Sequence, residues 1–203
     1  MSEFPLWAYA GGLLAGYLLG SIPFGLVLTR LAGVGDIRAI GSGNIGATNV
    51  LRTGRKGLAL ATLILDGGKG ALAVLLVRLF LGPTAIPLAL MTGAAAVLGH
   101  NFPVWLNFKG GKGVATTLGL MIGAIPAVGI MACLTWTATA AIFRISSLAA
   151  LVALAMAPLY AVLLGQSTEA VAFAALGLLG WIRHRANLRR LLKGDEPRIG
   201  AKA

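Results

Sequence analysis

A run of glycine, serine, asparagine and threonine is the first segment of this sequence that could do chemistry. It reads Gly41-Ser42-Gly43-Asn44-Ile45-Gly46-Ala47-Thr48-Asn49 and is followed shortly by Arg52. Glycines let backbone amides approach an anion, and the hydroxyl and amide side chains add further donors. The guanidinium of Arg52 has the fork geometry that suits phosphate. A turn-rich connecting loop has a similar composition, but this density of glycines beside paired Asn and Thr favours a ligand site.

A second polar cluster holds two lysines in a glycine frame. Its two parts are Gly99-His100-Asn101-Phe102-Pro103 and Lys109-Gly110-Gly111-Lys112-Gly113-Val114-Ala115-Thr116-Thr117. The second part stands where an apolar run begins, and free amides at a helix N-terminus attract anions. It is not a Walker A loop, because no Gly-Lys pair is followed directly by Ser or Thr. The lysines could instead only orient the chain, which accounts better for Lys109 than for Lys112, and His100 could be an ordinary hydrogen-bonded helix-end histidine.

The third cluster, Arg183-His184-Arg185-Ala186-Asn187-Leu188-Arg189-Arg190-Leu191-Leu192, carries the second histidine. On a helix, His184 and Asn187 share one face, while Arg185 and Arg189 form a basic stripe. A polybasic segment resting on anionic lipid accounts for the outer cations Arg189, Arg190 and Lys193. It does not account for a His and an Asn on one face, so these two join the candidate site.

Asp66 and Lys69 form an ionisable pair, at i and i+3, inside an apolar run. Ionisable residues in a membrane span are costly and usually face a partner or a cavity. The two could simply neutralise each other; a functional version places Lys69 at the wall of the site, held by Asp66.

The amino-acid composition of the chain indicates whether these clusters belong to a soluble protein or a membrane protein. The chain has 203 residues, of which 58% are hydrophobic and only 11% charged, and its mean hydropathy is +0.88. Soluble domains carry about a quarter charged residues, so this is a membrane protein. In a soluble protein the net charge of +11 would indicate a nucleic-acid partner. In a membrane protein much of this charge lies in cytoplasmic loops, so we expect no nucleic-acid partner. The single Cys133 excludes a disulfide framework and a cysteine-based zinc site.

The apolar runs predict an all-α integral membrane protein, a single domain with seven transmembrane helices. The segment 114–143 decides this count, because it is either one overlong helix or two helices that turn near Pro126. Two helices are favoured by the charge pattern, and the first of them is short enough to be tilted or partial. The predicted approximate spans are 5–29, 57–81, 84–106, 113–125, 127–143, 147–165 and 170–182.

Lysine and arginine set the predicted orientation, since short cytoplasmic loops are enriched in them. With seven spans, the motif loops 36–56 and 99–117, Arg144 and the basic tail 183–203 all fall on one side. With six, Arg144 and the tail would lie opposite the first loop. The N-terminus is therefore predicted outside and the C-terminus in the cytoplasm, and all three polar clusters meet in one pocket at the cytoplasmic face.

That pocket suits an anion with several oxygens, notably phosphate. Metal-dependent phosphatase or kinase chemistry needs carboxylates to hold the ion, and Asp36 is the only one in these loops, so no metal site is predicted. Nucleophilic hydrolase chemistry is not indicated, because Gly-x-Ser-x-Gly is absent. A His-x4-Asp acyltransfer motif is also missing, because Trp105 and Arg189 stand at the fifth position after His100 and His184.

The three clusters resemble, in order and spacing, the three signature motifs of the bacterial membrane glycerol-3-phosphate acyltransferases that use acyl phosphate. Ser21-Ile-Pro-Phe-Gly25 and Leu65-Asp-Gly-Gly-Lys-Gly70 also resemble family segments. The resemblance implies transfer of a fatty acyl group from acyl phosphate to the 1-hydroxyl of sn-glycerol 3-phosphate. The products would be lysophosphatidic acid and phosphate, the first step of bacterial phospholipid synthesis.

The resemblance also implies the setting and the site. No cofactor is expected, neither coenzyme A nor acyl carrier protein is used directly, and an acyl-phosphate-producing enzyme is a functional partner of this multi-pass protein of the cell (inner) membrane. The implied catalytic set is Ser42, Arg52, Lys112, His184 and Asn187. Further expected substrate-binding residues are Gly43, Asn44, Thr48, Asn49, His100, Gly113 and Thr116, with Asp66, Lys69, Lys109 and Arg185 as secondary candidates.

Acyl phosphate is a mixed anhydride with an activated carbonyl, so the enzyme needs mainly to bind two phosphates and align the hydroxyl. The hypothesis is direct attack without an acyl-enzyme; either His184 or a substrate phosphate takes the hydroxyl proton. Two other functions stay open. One is a transporter or exchanger of a phosphorylated metabolite, which the nearly uncharged outer loops do not support. The other is a polybasic membrane scaffold, which leaves the glycine-rich loops without a role.

Overall fold

The computed structural model describes residues 4–200, so the predicted outer terminus, residues 1–3, and the end of the basic tail, 201–203, lie outside the described residues. Within 4–200 the regular structure is helical, which confirms the all-α prediction. The ten α-helices are α1 Leu6–Gly20, α2 Phe24–Leu31, α3 Ala47–Leu51, α4 Lys56–Leu81, α5 Ile86–Asn101, α6 Val114–Ala124, α7 Pro126–Phe143, α8 Ser146–Leu163, α9 Ser167–Arg183 and α10 Arg185–Lys193. Two short 3-10 helices cover Ile37–Ala39 and Val104–Leu106.

Four helical stretches of the described chain are long and apolar enough to cross a membrane. They are Leu6–Leu31, Lys56–Leu81, Pro126–Phe143 and Ser146–Leu163. Their outward faces carry large exposed apolar side chains, among them Ile64 and Phe80 on α4. Apolar surface of this kind is stable against lipid and unstable against water.

Proline divides two long apolar runs of the chain into separate helices. The predicted span 5–29 divides into α1 and α2 at Ser21-Ile22-Pro23, because Pro23 has no N–H to continue the helix. At this break the carbonyl of Ile22 accepts hydrogen bonds from the Phe24 N–H at 3.1 Å and from the Lys69 ammonium at 3.0 Å. The segment 114–143 forms two helices, as predicted, and Pro126 is the first residue of the second.

Helix α6 packs backbone to backbone against α4, because a glycine of each helix faces a backbone carbonyl of the other helix. A Cβ added at Gly70 would lie 2.0 Å from the carbonyl oxygen of Thr116, and one at Gly119 would lie 1.9 Å from that of Gly67. Small residues allow this close approach of membrane helices. The contact fixes the start of α6, where Lys112 and Gly113 stand, against the middle of α4.

Candidate active site

One cavity of about 740 Å³ gathers residues from all three polar clusters. Its lining includes apolar residues such as Leu63, Leu118 and Trp136. The predicted site residues that line it are Ser42, Asn44, Thr48, Asn49, Arg52, Asp66, His100, Lys112, Gly113, His184 and Asn187. The cavity therefore combines a polar, cationic region with an apolar wall.

Asn49 organises the first loop from its buried position, with 1% of its surface exposed. Its Oδ1 accepts hydrogen bonds from the backbone N–H of Ser42 at 3.1 Å and from the Ser42 hydroxyl at 3.3 Å. Its Nδ2 donates to the carbonyl of Ile37 at 2.8 Å. Gly41 has φ +54°, and a Cβ there would meet the Arg52 side chain at 2.7 Å. The loop is thus held by Asn49, whose Oδ1 also lies 3.4 Å from Arg52 Nη1, and Ser42 and Arg52 both line the cavity.

The carboxylate that the sequence places in this loop is engaged elsewhere. Asp36 accepts hydrogen bonds from Arg38, whose Nε lies 2.9 Å from Oδ1, and Arg30 lies 3.6 Å away. The Arg38 hydrogen bonds hold the pKa of Asp36 well below its usual range. Asp36 is therefore a paired surface anion and not part of the cavity wall.

Lys112 joins the second cluster to the third. Its ammonium donates to Asn187 Oδ1 at 2.6 Å. Burial lowers the pKa of Lys112 to about 8, and the negative charge of Glu196 opposes that shift. The following residue, Gly113, has φ +76° and starts α6. A cation with a low pKa at a helix start is suited to meet a phosphate.

Arg183 holds the turn that carries Lys112. Its Nη2 donates to the carbonyl of Gly111 at 2.9 Å and to that of Gly110 at 3.2 Å, and its guanidinium stacks over the Phe102 ring at 4.9 Å. The sequence reasoning placed Arg183 only in a basic tail, and that interpretation missed its positioning contact. Nothing local marks it, because its partners lie about 70 residues earlier in the chain.

His184 lies at the junction of α9 and α10 and is 3% exposed. Its Nδ1 lies 2.7 Å from the carbonyl oxygen of Gly180. A carbonyl only accepts, so Nδ1 carries the proton and Nε2 keeps its lone pair. Burial lowers the pKa of His184 to about 4, so the ring is neutral at pH 7 and offers an acceptor.

Glu196 is a charged cavity residue that the sequence did not indicate. Its Oε1 accepts hydrogen bonds from the Ser147 hydroxyl at 2.7 Å and from Asn187 Nδ2 at 2.5 Å, and its Oε2 accepts from Arg190 Nε at 2.7 Å. Burial alone would raise the pKa of this carboxyl, but the hydrogen bonds outweigh burial and lower it. The expectation that Arg190 only rests on lipid is therefore wrong. The one available signal was an acidic pair, Asp195-Glu196, in an otherwise basic tail.

Glu196→Gln is expected to lower activity by about tenfold or more and to reduce thermal stability. A neutral amide weakens the hydrogen bonds from Arg190 and Asn187, and hydrogen bonds to a charged group contribute roughly 1.5–3 kcal/mol. Product formation and the melting temperature of the detergent-solubilised protein measure both effects. Asp195→Asn is the matched control because Asp195 is exposed; equal losses in the two variants would contradict the assignment.

The structure does not bring every predicted residue to the cavity. Lys109 and Arg185 are exposed and lie outside the lining, because each stands on an outward face of its segment. Gly43 belongs to the first loop without lining the cavity, whereas Lys69 and Thr116 are buried behind its wall. Among residues 4–200, no three His, Cys, Asp or Glu side chains come together as a metal ion requires.

The fold and the cavity together define a helical membrane protein with a cavity that combines cationic, amide and apolar groups. The family model described as glycerol-3-phosphate acyltransferase matches residues 10–194. The chain belongs to this family, which confirms the resemblance of the three motifs, and it is an acyltransferase.

Relatives and solved structures agree with this assignment. The chain is 64% identical to a glycerol-3-phosphate acyltransferase of Rhodospirillum rubrum, over 93% of this chain and 90% of the relative. It is 65% identical to that of Paramagnetospirillum magneticum, over 93% and 92%. The crystal structure of PlsY (YgiH), an integral membrane glycerol 3-phosphate acyltransferase in its glycerol 3-phosphate form, superposes with a TM-score of 0.88 at 39% identity, covering 95% of this chain and 96% of that one. Its lysophosphatidic acid form gives 0.87 at 38%, covering 95% of each chain. The protein is thus a multi-pass membrane protein.

Proposed function

We propose that this enzyme transfers a fatty acyl group from acyl phosphate to the 1-hydroxyl of sn-glycerol 3-phosphate. The products are lysophosphatidic acid and inorganic phosphate, and the reaction begins phospholipid synthesis at the inner membrane. One observation carries the proposal: the cationic and amide groups of three distant motifs share a single cavity with an apolar wall. The glycerol 3-phosphate and lysophosphatidic acid forms of the similar crystal structure support the acceptor and the product.

In this proposal the chain crosses the membrane seven times, with the N-terminus outside and the C-terminus in the cytoplasm. Helices α1 and α2 together form the first crossing, and α6 is the short, covered fourth one. The cavity then opens at the cytoplasmic face, where glycerol 3-phosphate and an acyl phosphate made by a separate enzyme are available. The positive-inside rule supports this orientation.

The two phosphates of the substrates bind to the polar region of the cavity. Arg52 and the side-chain amide of Asn44 form one set of donors, and Lys112 with the start of α6 forms another. Charge-assisted hydrogen bonds of this kind are short and strong. Asn187 orients Lys112 through its side-chain oxygen. Lys109 and Arg185 are not included, because both are exposed away from the cavity.

The acyl chain lies along the apolar side of the same cavity. Leu63, Leu118, Cys133 and Trp136 supply this wall from α4, α6 and α7. Each buried methylene of an acyl chain contributes about 0.8 kcal/mol. Binding energy from the chain therefore positions the activated carbonyl next to the phosphate donors.

The chemical step is direct attack. The 1-hydroxyl oxygen bonds to the acyl carbon, the bond from that carbon to the bridging oxygen breaks, and phosphate leaves with that oxygen. A histidine with a pKa of about 4 is a weak base, whereas a phosphate monoester has a second pKa near 6. In this proposal His184 Nε2 accepts the hydrogen bond of the 1-hydroxyl, and the single hydroxyl proton passes through Nε2 to a substrate phosphate as the new bond forms.

The pH dependence of kcat/KM follows from the substrate phosphate and two enzyme groups, since this ratio reports the free enzyme and the free substrate. His184 is neutral above its pKa of about 4, and Lys112 keeps its charge below its pKa of about 8. Activity is therefore expected to fall below about pH 6, where the substrate phosphate that takes the proton becomes protonated, to fall further below pH 4, and to fall above pH 8. In Lys112→Arg the alkaline fall should disappear from the range below pH 10, because guanidinium stays charged. An unchanged alkaline fall in that variant would contradict the assignment.

Product identification in detergent tests the proposal as a whole. Purified protein receives labelled glycerol 3-phosphate together with acyl phosphate, acyl coenzyme A or acyl carrier protein. Lysophosphatidic acid is expected from acyl phosphate alone. A detergent solution has no compartments, so product formation there excludes a pure transporter. Absence of product with acyl phosphate would overturn the proposal.

A further inference from the structure

A buried polar cluster lies behind the phosphate-binding region, between the break after α1 and helices α4 and α5. Asp66, Lys69 and His100 form it, with 2%, 2% and 5% of their surfaces exposed. The Lys69 ammonium lies 2.9 Å from Asp66 Oδ1. Charge neutralisation in a membrane needs only this pair, so the contact of Lys69 with His100 requires a separate account.

The hydrogen bonds of the Lys69 ammonium determine the tautomer of His100. An ammonium has three N–H donors and no acceptor. The three partners are Asp66 Oδ1 at 2.9 Å, the carbonyl of Ile22 at 3.0 Å and His100 Nδ1 at 2.9 Å. Because Lys69 can only donate, Nδ1 must accept. His100 is therefore neutral and carries its proton on Nε2.

Asp66 does not compete for the same ring nitrogen. Its Oδ1 lies 3.6 Å from His100 Nδ1, which is beyond hydrogen-bond distance. Asp66 instead keeps Lys69 charged and directed toward the ring. The carbonyl of Ile22 lies at the break between α1 and α2, where it also accepts from the Phe24 N–H at 3.1 Å.

The protonated side of His100 lies beside the turn that carries Lys112. A Cβ added at Gly111 would lie 2.0 Å from Nε2, so only glycine lets the ring occupy this place. The Gly111 N–H donates to the carbonyl of His100 at 3.0 Å, and His100 lines the cavity. The N–H of Nε2 thus lies beside Gly111, the residue that precedes Lys112.

We propose that Lys69 and Asp66 are positioning residues that hold His100 as the Nε2–H tautomer, so that His100 donates a neutral hydrogen bond to a substrate phosphate next to Lys112. The opposite tautomer would turn a lone pair toward the anion and repel it. This inference rests on the proposed function for the identity of the anion. It uses residues that local motifs do not connect, because Asp66 and Lys69 precede His100 by more than 30 positions.

Nitrogen-15 NMR of histidine-labelled protein tests the tautomer without substrate. The chain has two histidines, and their expected states are opposite: His184 protonated on Nδ1 by its bond to Gly180, and His100 protonated on Nε2. Loss of one pair of signals in His100→Gln assigns the spectrum. A His100 protonated on Nδ1 in the wild-type protein would overturn the proposal.

Kinetics of a charge-balanced variant test the consequence. Asp66→Asn with Lys69→Met removes both charges together, and is expected to mix the His100 tautomers and raise the KM for one of the two phosphate substrates by about tenfold to a hundredfold, with a smaller change in kcat. Lys69→Arg keeps a donor that cannot accept, so it should retain the wild-type tautomer. An unchanged tautomer and unchanged KM values in the double variant would overturn the proposal.

The two readouts separate this inference from the proposed function. A protein that makes no lysophosphatidic acid but shows the expected tautomer contradicts the proposed function. A protein that makes the product but shows the other tautomer contradicts only the role of Lys69 and Asp66.

Discussion

Lys112→Met is expected to lower kcat/KM for glycerol 3-phosphate by roughly 30- to 5,000-fold, because the proposed function pairs the Lys112 ammonium with a substrate phosphate. Removing one partner of a buried, hydrogen-bonded charge pair costs about 2–5 kcal/mol. Lys112 is half-buried, contacts Asn187 at 2.6 Å and stands at the start of α6. Methionine has a similar length and no charge, so packing is largely kept. Initial rates over a range of both substrates measure the effect.

Lys109→Met is the matched control for this experiment. Lys109 belongs to the same glycine-rich segment, only three positions earlier, but it is exposed and does not line the cavity. Its variant should keep activity within a few-fold of wild type, since an exposed lysine contributes little. Equal losses in the two variants would mean that the segment acts through general positive charge and not through one placed ammonium.

Gly70→Ala is expected to lower the melting temperature in detergent by roughly 6–12 °C, which corresponds to about 3 kcal/mol for a chain of this size. Its Cβ would lie 2.0 Å from the Thr116 carbonyl oxygen and 3.0 Å from the Leu120 nitrogen. Both are backbone atoms, so the whole of α6 must move away from α4. Activity should fall in parallel, because α6 begins at the Lys112 turn.

Gly68→Ala provides the control within the same helix. Gly68 is exposed, and nothing lies within 4 Å of an added Cβ. Alanine is favoured over glycine in a helix interior by about 1 kcal/mol, so this variant should be as stable as wild type or slightly more stable. A large loss in Gly68→Ala would show that helix α4 tolerates no alanine, and the close-contact explanation for Gly70 would fail.

Some parts of the site follow from sequence because their determinants are local. Ser42 and Asn49 lie in one loop, so their composition alone indicates an anion site, and Asn49 Oδ1 does accept from Ser42. Pro126 marks the division of 114–143 because proline is favoured in the first turn of a helix. These signals operate within about ten residues.

Other parts are invisible in local patterns. Glu196 reaches Ser147 across 49 positions, and Arg183 reaches Gly111 across 72, so no spacing rule connects them. The break at Pro23 was missed because an apolar run continues on both sides of it. At the same break the Ile22 carbonyl accepts from Phe24 N–H and from Lys69, and therefore this missed feature takes part in the arrangement around Lys69.

Phosphate release before and after addition of glycerol 3-phosphate is the most direct test of the central claim, that one cavity passes the acyl group directly between two bound substrates. Purified enzyme is mixed rapidly with acyl phosphate labelled in its acyl group, and free phosphate and protein-bound label are followed in time. Direct transfer predicts no burst of phosphate and no labelled protein until glycerol 3-phosphate is added, and then equal amounts of phosphate and lysophosphatidic acid. A stoichiometric burst of phosphate with label trapped on the protein, for example on Ser42, would contradict the account.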